Sequence, residues 1–243
     1  STNGIRVLAW GGRGEGSLIE NNFIRYFNTI GIHASGIRSG ATEVKMLKNT
    51  ISHVGRDGIS SFGTHCEIAY NDVSQGMLIN NDGGVFYTVG NDDPKHTEIH
   101  HNWFHDFHGP EYADGRAAGI YLDNNSKGYT VHHNVVWNVS WSGYQVNWNN
   151  TNLDFFHNTF WNAERAMDSW VNGYPQENNK IYNSFSNTGD WFTGNGPHEF
   201  DIQDNLITAT SPFEDPENNN FMPKPGSAVV DQAQIISGFP KPY

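Results

Sequence analysis

The chain has 243 residues, enough for one large domain or one elongated array of repeats. Asp and Glu outnumber Lys and Arg by 26 to 14, which gives a formal charge of −12. We therefore predict no nucleic-acid partner and no binding to anionic membranes, because both require a basic surface. Only 16% of the residues are charged, unlike most disordered chains, so the polarity comes mainly from Asn, Ser, Thr, His and Gly.

Cys66 is the single cysteine, which excludes an internal disulfide or a cysteine-rich zinc site and predicts a buried thiol. No apolar stretch approaches 18 residues, so we predict no insertion into a membrane. No signal peptide is present, and Ser1 leads almost directly into the strand-like residues 5–9. Such a start is typical of a mature or trimmed piece of a longer chain.

A short pattern recurs along the chain: an apolar residue, two residues, Asn, one residue and another apolar residue. The asparagines of the pattern are Asn22, Asn49, Asn71, Asn102, Asn134, Asn158 and Asn205, and Asn183 fits after a shift of one residue. Successive asparagines of the pattern lie 22 to 32 residues apart. A repeat in the low twenties is too short for two helices and predicts two or three short strands joined by turns. Asparagine tolerates left-handed turns, and stacked amides can bond to each other, so we predict a ladder of asparagines.

A second strand follows each asparagine, and its residues alternate between inward and outward positions. We align it on Gly31, Gly58, Gly84, Gly119, Gly143 and Ala166. The third and fourth repeats carry extra residues before this strand, and insertions of this kind form loops on one side of the array, often the binding side.

Two stretches of the chain, residues 81–90 (NDGGVFYTVG) and residues 119–138, resemble segments of the right-handed parallel β-helix superfamily of pectate-lyase-like, polysaccharide-active proteins. The resemblance covers about residues 5–210. It implies an all-β, right-handed parallel β-helix of about eight coils at 1–210, in a secreted, extracellular or periplasmic protein. The Pro- and Asn-rich tail, 211–243, would pack on or cap the last coil. The reaction stays open, because the superfamily holds lyases, hydrolases, epimerases and non-catalytic proteins.

The predicted outward positions of the second strand carry residue types that suit a sugar. Aromatic rings pack on pyranose faces, while amides and carboxylates bond to hydroxyls. The predicted substrate-binding residues in this row are His33, Phe86, Tyr121, Gln145, Asn147 and Trp170. Trp141 and Trp148 lie next to the row and complete the predicted sugar-binding surface.

Five side chains are candidates for catalysis. Glycosidases use two carboxyl groups, roughly 5 Å apart for retention and 6.5–9.5 Å apart for inversion. Asp82 and Asp123 are the first pair, although six residues of straight strand would separate them by about 20 Å. Asp123 with Asp168 and Asp57 with Asp82 are alternative pairs, and Arg56 aligns beside Asp82, where it would hold that carboxylate ionised. We favour a glycoside hydrolase that cleaves an extracellular polysaccharide.

Two other functions stay open. A polysaccharide lyase or epimerase acting on a uronate polymer would need a base and a cation or metal to neutralise the uronate. Arg56, Arg116, Lys127, Tyr121 or a histidine could serve, with Lys127 contacting substrate, but cations are sparse in this acidic chain. The third hypothesis is a non-catalytic solenoid that binds carbohydrate or forms a surface structure.

The histidines and loop acids raise the question of metals. His101, His133 and His157 take the same place before the repeat asparagine, and His100 and His132 form a second pair. Converging imidazoles can bind zinc, but we interpret these as stacked polar ladders and predict no metal site. Calcium is a candidate cofactor only at the loop acids, for which solvation is the favoured interpretation. Those acids are Asp92, Asp93, Asp106, Glu111 and Asp114.

Overall fold

The computed structural model describes residues 3–90, 93–170, 176–189, 191, 200–235 and 237. These residues form 23 strands and three short 3₁₀ helices, Trp10–Gly12, Glu111–Ala113 and Pro216–Asn218. The first strands are β1 (Ile5–Val7), β2 (Leu18–Glu20), β3 (Phe23–Phe27), β4 (Ser35–Ser39), β5 (Lys45–Leu47), β6 (Thr50–Val54), β7 (Asp57–Ser61), β8 (Glu67–Ala69), β9 (Asp72–Gly76), β10 (Gly83–Thr88), β11 (Pro94–His100) and β12 (Trp103–Phe107). The others are β13 (Ala117–Leu122), β14 (Lys127–His132), β15 (Val135–Val146), β16 (Asp154–Phe156), β17 (Thr159–Asp168), β18 (Asn179–Tyr182), β19 (Phe185–Ser186), β20 (Phe200–Gln203), β21 (Leu206–Ile207), β22 (Phe213–Asp215) and β23 (Asn220–Pro223). The predicted all-β class is confirmed.

Most strands lie in two parallel sheets. The eight-stranded sheet, called row one, has the order β2-β5-β8-β11-β14-β16-β18-β20. The thirteen-stranded sheet contains two rows that meet where β15 and β17 run through both. Row two is β3-β6-β9-β12 continued by the first part of β15, and row three is β1-β4-β7-β10-β13 continued by its second part. No helix in the described ranges is both long and apolar enough to cross a membrane.

The core is built from inward-facing apolar positions of the strands, repeated along the rows. In row three, this inward position is fully buried in six successive repeats. Its residues are Ile37, Ile59, Phe86, Ile120, Tyr144 and Met167. Burying one such side chain contributes roughly 1.5–3 kcal/mol, so the stack is a major source of stability.

The asparagine ladder between rows one and two is confirmed. Asn71 donates from Nδ2 to Oδ1 of Asn102 at 2.9 Å, and Asn102 donates in the same way to Asn134 at 2.9 Å. The ladder residues from Asn49 to Ser184 are buried, the terminal Asn22 and Asn205 are half-buried, and each follows a residue with positive φ, such as His101 at 53°. One expectation was wrong. Ser184 occupies the ladder position of the seventh repeat, and Asn183 takes the left-handed position before it.

The predicted alignment of row three was wrong in the first and third repeats. In the first repeat, Ile37 pairs with Ile59, so the aligned residue is Gly36 rather than Gly31. Residues 28–34 form a longer turn, which the Asn28 side chain closes by accepting from Ile32 N at 3.1 Å. In the third repeat, Phe86 pairs with Ile59, which shifts that strand by one residue.

The predicted imidazole columns are confirmed beside the ladder. The rings of His100 and His132 stack with centroids 4.9 Å apart and planes within 2°, and those of His101 and His133 stack at 4.9 Å and 3°. Burial, together with the neighbouring imidazoles, lowers the pKa of His133 to about 3. Hence His133 is neutral in the fold at neutral pH, whereas an unfolded histidine titrates near 6.5.

Replacing His133 by Asn should make stability less sensitive to acid. Because the folded pKa is depressed, the stability linked to neutral His133 is complete above pH 6.5 and is lost as pH falls toward 3. Unfolding of the wild type near pH 4.5 should therefore take up about one proton more than unfolding of His133→Asn. Urea unfolding at a series of pH values measures this difference, with the exposed His65→Asn as the control. Equal pH slopes for wild type and His133→Asn would contradict the prediction.

The C-terminal part of the chain packs on the outer face of row two. Strands β22 and β23 pair as an antiparallel hairpin. Its Phe221 ring lies 4.9 Å from Trp137, and its Phe213 ring lies 6.2 Å from Trp161. The hairpin therefore covers indole rings that would otherwise be exposed. Residues 236 and 238–243 of the predicted tail lie outside the described residues.

Candidate active site

The outward face of row three carries the candidate site. In the observed register, one outward position repeats from β1 to β17, and we call this set the outward column. Its residues are Arg6, Arg38, Ser60, Tyr87, Tyr121, Gln145 and Asp168. Tyr121 and Gln145 were predicted to face outward, whereas Tyr87, Arg6 and Arg38 were not singled out. The column therefore runs from a cationic end through two tyrosines to a carboxylate.

Asp82 and Asp123 belong to one hydrogen-bond network in the middle of this face. Tyr121 donates from its hydroxyl to Oδ1 of Asp82 at 3.2 Å. Asn147 donates from Nδ2 both to the Tyr121 hydroxyl at 3.0 Å and to Oδ1 of Asp123 at 2.7 Å. Both carboxylates are half-buried, so they stay accessible while their linking groups are buried. The first predicted carboxylate pair is thus connected across neighbouring repeats.

Tyr87 is a component of the network that the sequence pattern missed. It donates from its hydroxyl to Oδ2 of Asp123 at 3.0 Å, and its ring lies 5.3 Å from that of Tyr121. Burial raises the pKa of both tyrosines well above the ordinary value, so they remain protonated donors to the two carboxylates. The adjacent glycines Gly83 and Gly84, which favour an irregular strand, were the sequence signal for the one-residue shift of β10.

A buried ion pair lies under the network. Arg56 donates to Oδ2 of Asp57 at 2.6 Å, and Gly84 N donates to Oδ1 at 3.2 Å. A Cβ at Gly83 would overlap the Asp57 carboxylate, which explains the need for glycine there. Burial raises the pKa of Asp57 to about 6 against the attraction of Arg56. Asp57 is fully buried and Arg56 is 2% exposed, so the structure places both behind the surface rather than on it.

Arg56 connects this ion pair to the backbone of Asp82 and to the ring of Tyr87. It donates to the backbone carbonyl of Asp82 at 2.6 Å, and its guanidinium lies 4.8 Å from the centre of the Tyr87 ring. It contacts the main chain rather than the carboxylate of Asp82, so the predicted direct pairing with that side chain was wrong. This arrangement positions the Asp82 backbone and the Tyr87 ring together.

Asp168 occupies a separate end of the face. Arg165 donates to Oδ2 of Asp168 at 2.7 Å, and the Trp141 indole donates to the same oxygen at 3.3 Å. Asp168 is 4% exposed, and the network of Asp82 does not include it. The predicted pair of Asp123 and Asp168 is therefore not joined by a direct contact.

Aromatic rings border the network on the same side. The Trp141 ring lies 5.6 Å from that of Tyr121 and 5.3 Å from that of the half-buried Trp170. Trp148, directly after Asn147 in the chain, is also half-buried. The Arg116 guanidinium lies 5.1 Å from the Trp170 ring. These rings give the face the flat apolar surface on which a sugar can pack.

Several predicted exposures were wrong. Phe86 is fully buried in the core, because the one-residue shift turns it inward. Tyr121, Gln145 and Asn147 point outward but are at most 1% exposed, because their polar groups bond to one another. His33 is exposed in the 28–34 turn instead of in the strand. Lys127 is half-buried at the start of β14, in row one.

Within the described residues, the loop acids considered as candidate calcium ligands do not converge on one site. Asp106 bonds to His105 at 2.7 Å, and Asp114 lies 3.4 Å from Arg116. Asp92 lies outside the described residues. Throughout the part of the chain that the structure describes, no group of three His, Cys, Asp or Glu side chains is arranged to hold a metal ion.

The site thus combines two accessible carboxylates, two protonated tyrosines, a buried ion pair and bordering indoles. Carboxylates held by hydroxyl donors are suited to proton transfer at a bound sugar. Comparison of the chain with protein-family models, with curated proteins and with solved structures found no match.

Proposed function

We propose that the chain is a right-handed parallel β-helix of about eight coils that cleaves glycosidic bonds of a polysaccharide by hydrolysis. The observation that carries this proposal is the link between Asp82 and Asp123 through Tyr121 and Asn147. The parallel rows and the asparagine ladder support the proposed fold. The proposed protein is secreted, extracellular or periplasmic, where polysaccharide substrates occur.

The two carboxyl groups would share the acid and base roles. One would protonate the leaving glycosidic oxygen while the other activates a water molecule on the opposite face of the sugar. Three hydrogen bonds in series keep the two carboxylates closer than about 9.5 Å, the upper separation in inverting enzymes. This chemistry needs no resident cofactor.

The remaining groups would bind and orient the substrate. Trp148 and Trp170 are accessible to the apolar face of a pyranose, and Tyr87 and Tyr121 hold the carboxylates in place. Arg56 and Asp57 lie behind these groups and would position them without touching the sugar. Asp82 and Asp123 would therefore act on the sugar, while Arg56 and Asp57 would hold the site in position.

A panel of polysaccharides tests the proposal. Wild-type protein is incubated with neutral and acidic polymers, and new reducing ends are measured together with the ultraviolet absorbance of unsaturated uronates. Hydrolysis predicts reducing ends without that absorbance. Absorbance in step with the reducing ends would establish a lyase instead. Glycan binding without any product would establish the non-catalytic alternative.

A further inference from the structure

The C-terminal hairpin covers the outer face of row two only over its later repeats. Beneath it, Trp137 in β15 is 1% exposed and Trp161 in β17 is 6% exposed. Trp103 in the preceding strand, β12, lies on the same face, but 45% of its surface is exposed. An exposed indole is unfavourable in water, so a ligand that packs on Trp103 would gain affinity from covering it.

Trp103 belongs to a group of side chains at the corner between rows one and two, which we call the row-two patch. The patch consists of Tyr70, Asp72, His101, Trp103 and His105. Trp103 and Asp72 are paired in register on adjacent strands. Tyr70 is 53% exposed, and its ring stacks on that of the exposed His101 at 5.1 Å. Single exposed aromatic residues are common, but two of them on successive repeats form a platform larger than one ring.

The polar groups of the patch are held in fixed positions. His105 contacts Oδ1 of Asp72 through Nε2 at 2.9 Å and Oδ2 of Asp106 through Nδ1 at 2.7 Å. Both ring nitrogens donate, since ionised carboxylates only accept, so His105 carries a positive charge. Its ring lies flat on Trp137 at 4.0 Å, and Trp103 meets the same indole edge to face at 5.6 Å. The Asp72 side chain is still 49% exposed and can accept from a ligand.

An exposed indole beside an accessible carboxylate suits an uncharged sugar. The apolar face of a pyranose packs on aromatic rings, and its hydroxyls donate to carboxylate oxygens. The two carboxylates of Asp72 and Asp106 outnumber the single positive charge of His105, so the patch repels an anionic ligand. The patch belongs to row two, whereas the network of Asp82 and Asp123 lies on row three. A sugar bound here would therefore lie outside the candidate active site.

We infer that the row-two patch is a second saccharide-binding site, which takes a neutral glycan and holds it without cleaving it. Tyr70 and Trp103 supply the packing surface, and Asp72 accepts from the hydroxyls of the sugar. This inference goes beyond the proposed function, because binding at row two does not require cleavage at row three. Two binding sites on one molecule raise its overall affinity for a long polymer that reaches both.

Nuclear magnetic resonance of protein with ¹⁵N-labelled tryptophan tests the inference, because each indole N–H gives its own signal. The spectrum of Trp103→Phe identifies the Trp103 signal. The titrations use Asp123→Asn protein, which limits cleavage of the probes. The neutral probes are hexamers of β-1,4-linked glucose, xylose, mannose and galactose, and the anionic probe is a hexamer of galacturonic acid. At least one neutral hexamer should shift the Trp103 signal, with a Kd about tenfold or more below that of the anionic hexamer.

Two substitutions in the patch should weaken binding at this signal. Tyr70→Ala removes one ring of the platform, and Asp72→Asn removes the charged acceptor, so each should raise the Kd read at Trp103 about tenfold. Tyr112→Ala is the control, because Tyr112 is 82% exposed in the loop between β12 and β13, outside the patch. It should leave this Kd unchanged. Thermal unfolding establishes that all variants are folded.

Three results would overturn the inference: no shift at Trp103 with any neutral hexamer, equal or tighter binding of the anionic hexamer, or the same loss in Tyr112→Ala. A Trp103 signal that moves with protein concentration alone would also overturn it, because a second copy of the chain would then cover the patch. Failure of the proposed function looks different. Shifts at Trp103 without any product from wild-type protein would keep the second site and remove the hydrolase, and cleavage without shifts at Trp103 would do the reverse.

Discussion

Replacing Asp123 by Asn is expected to lower the rate of glycosidic bond cleavage by about 10²- to 10⁴-fold, the usual contribution of a positioned acid or base. The change keeps the shape of the side chain and leaves one oxygen, which can accept from either Tyr87 or Asn147 but not from both, because the two donate to different oxygens of Asp123. It removes the group that transfers a proton. Asp82→Asn should act in the same way, because Tyr121 holds its carboxylate. Initial rates of reducing-end formation measure both effects.

Asp154→Asn is the matched control for these variants. Asp154 lies in β16 of row one and contacts Lys180 at 3.4 Å, on a different face of the molecule. An exposed ion pair of this kind contributes at most about 1 kcal/mol, so the variant should stay folded and active. Thermal unfolding establishes that all three proteins are folded. Full activity in Asp123→Asn would rule out its catalytic role.

Replacing Arg56 by Met is expected to destabilise the protein by about 3–5 kcal/mol at pH 8, because it leaves the Asp57 carboxylate buried without its cation. The folded pKa of Asp57, raised to about 6 in the wild type by burial, should rise further without Arg56. A carboxyl group whose pKa is raised in the fold stabilises the protein at low pH. This stabilisation is lost as the pH rises through the folded pKa. The loss in Arg56→Met should therefore shrink toward pH 5.

The double variant Arg56→Met/Asp57→Asn separates the charge from the packing. Removing the carboxylate as well should recover a large part of the stability and abolish the pH dependence of the loss. Urea unfolding at pH 5 and pH 8 measures both effects. If the double variant were less stable than Arg56→Met at pH 8, the uncompensated carboxylate would not be the cause.

The repeat could be predicted from the sequence because its signal is local. Asn102 and Asn134 each precede an apolar residue at a fixed offset, and the hydrogen bonds of the ladder follow from that spacing. The asparagine pattern did not identify Ser184 as a ladder residue, because here a hydroxyl oxygen replaces the amide oxygen as the acceptor. Its neighbour Asn183, which fits a left-handed turn, therefore took its place in the prediction.

The site was harder to predict because it depends on single-residue shifts and on long side chains. A shift of one residue exchanges the two faces of a strand, and it moved Phe86 into the core and Tyr87 outward. The estimate of about 20 Å between Asp82 and Asp123 considered the backbone alone. Tyr121 spans much of that distance with its side chain, and no pattern of residue types reveals such a bridge.

A double-mutant cycle on Asp82 and Asp123 tests most directly whether the two carboxylates act as one catalytic unit. The value of kcat/KM is measured for the wild type, Asp82→Asn, Asp123→Asn and the double variant on the substrate found in the panel. The account predicts that the double variant is about as slow as the slower single variant, as for residues that work together. Losses that multiply, or a single variant with wild-type activity, would contradict it.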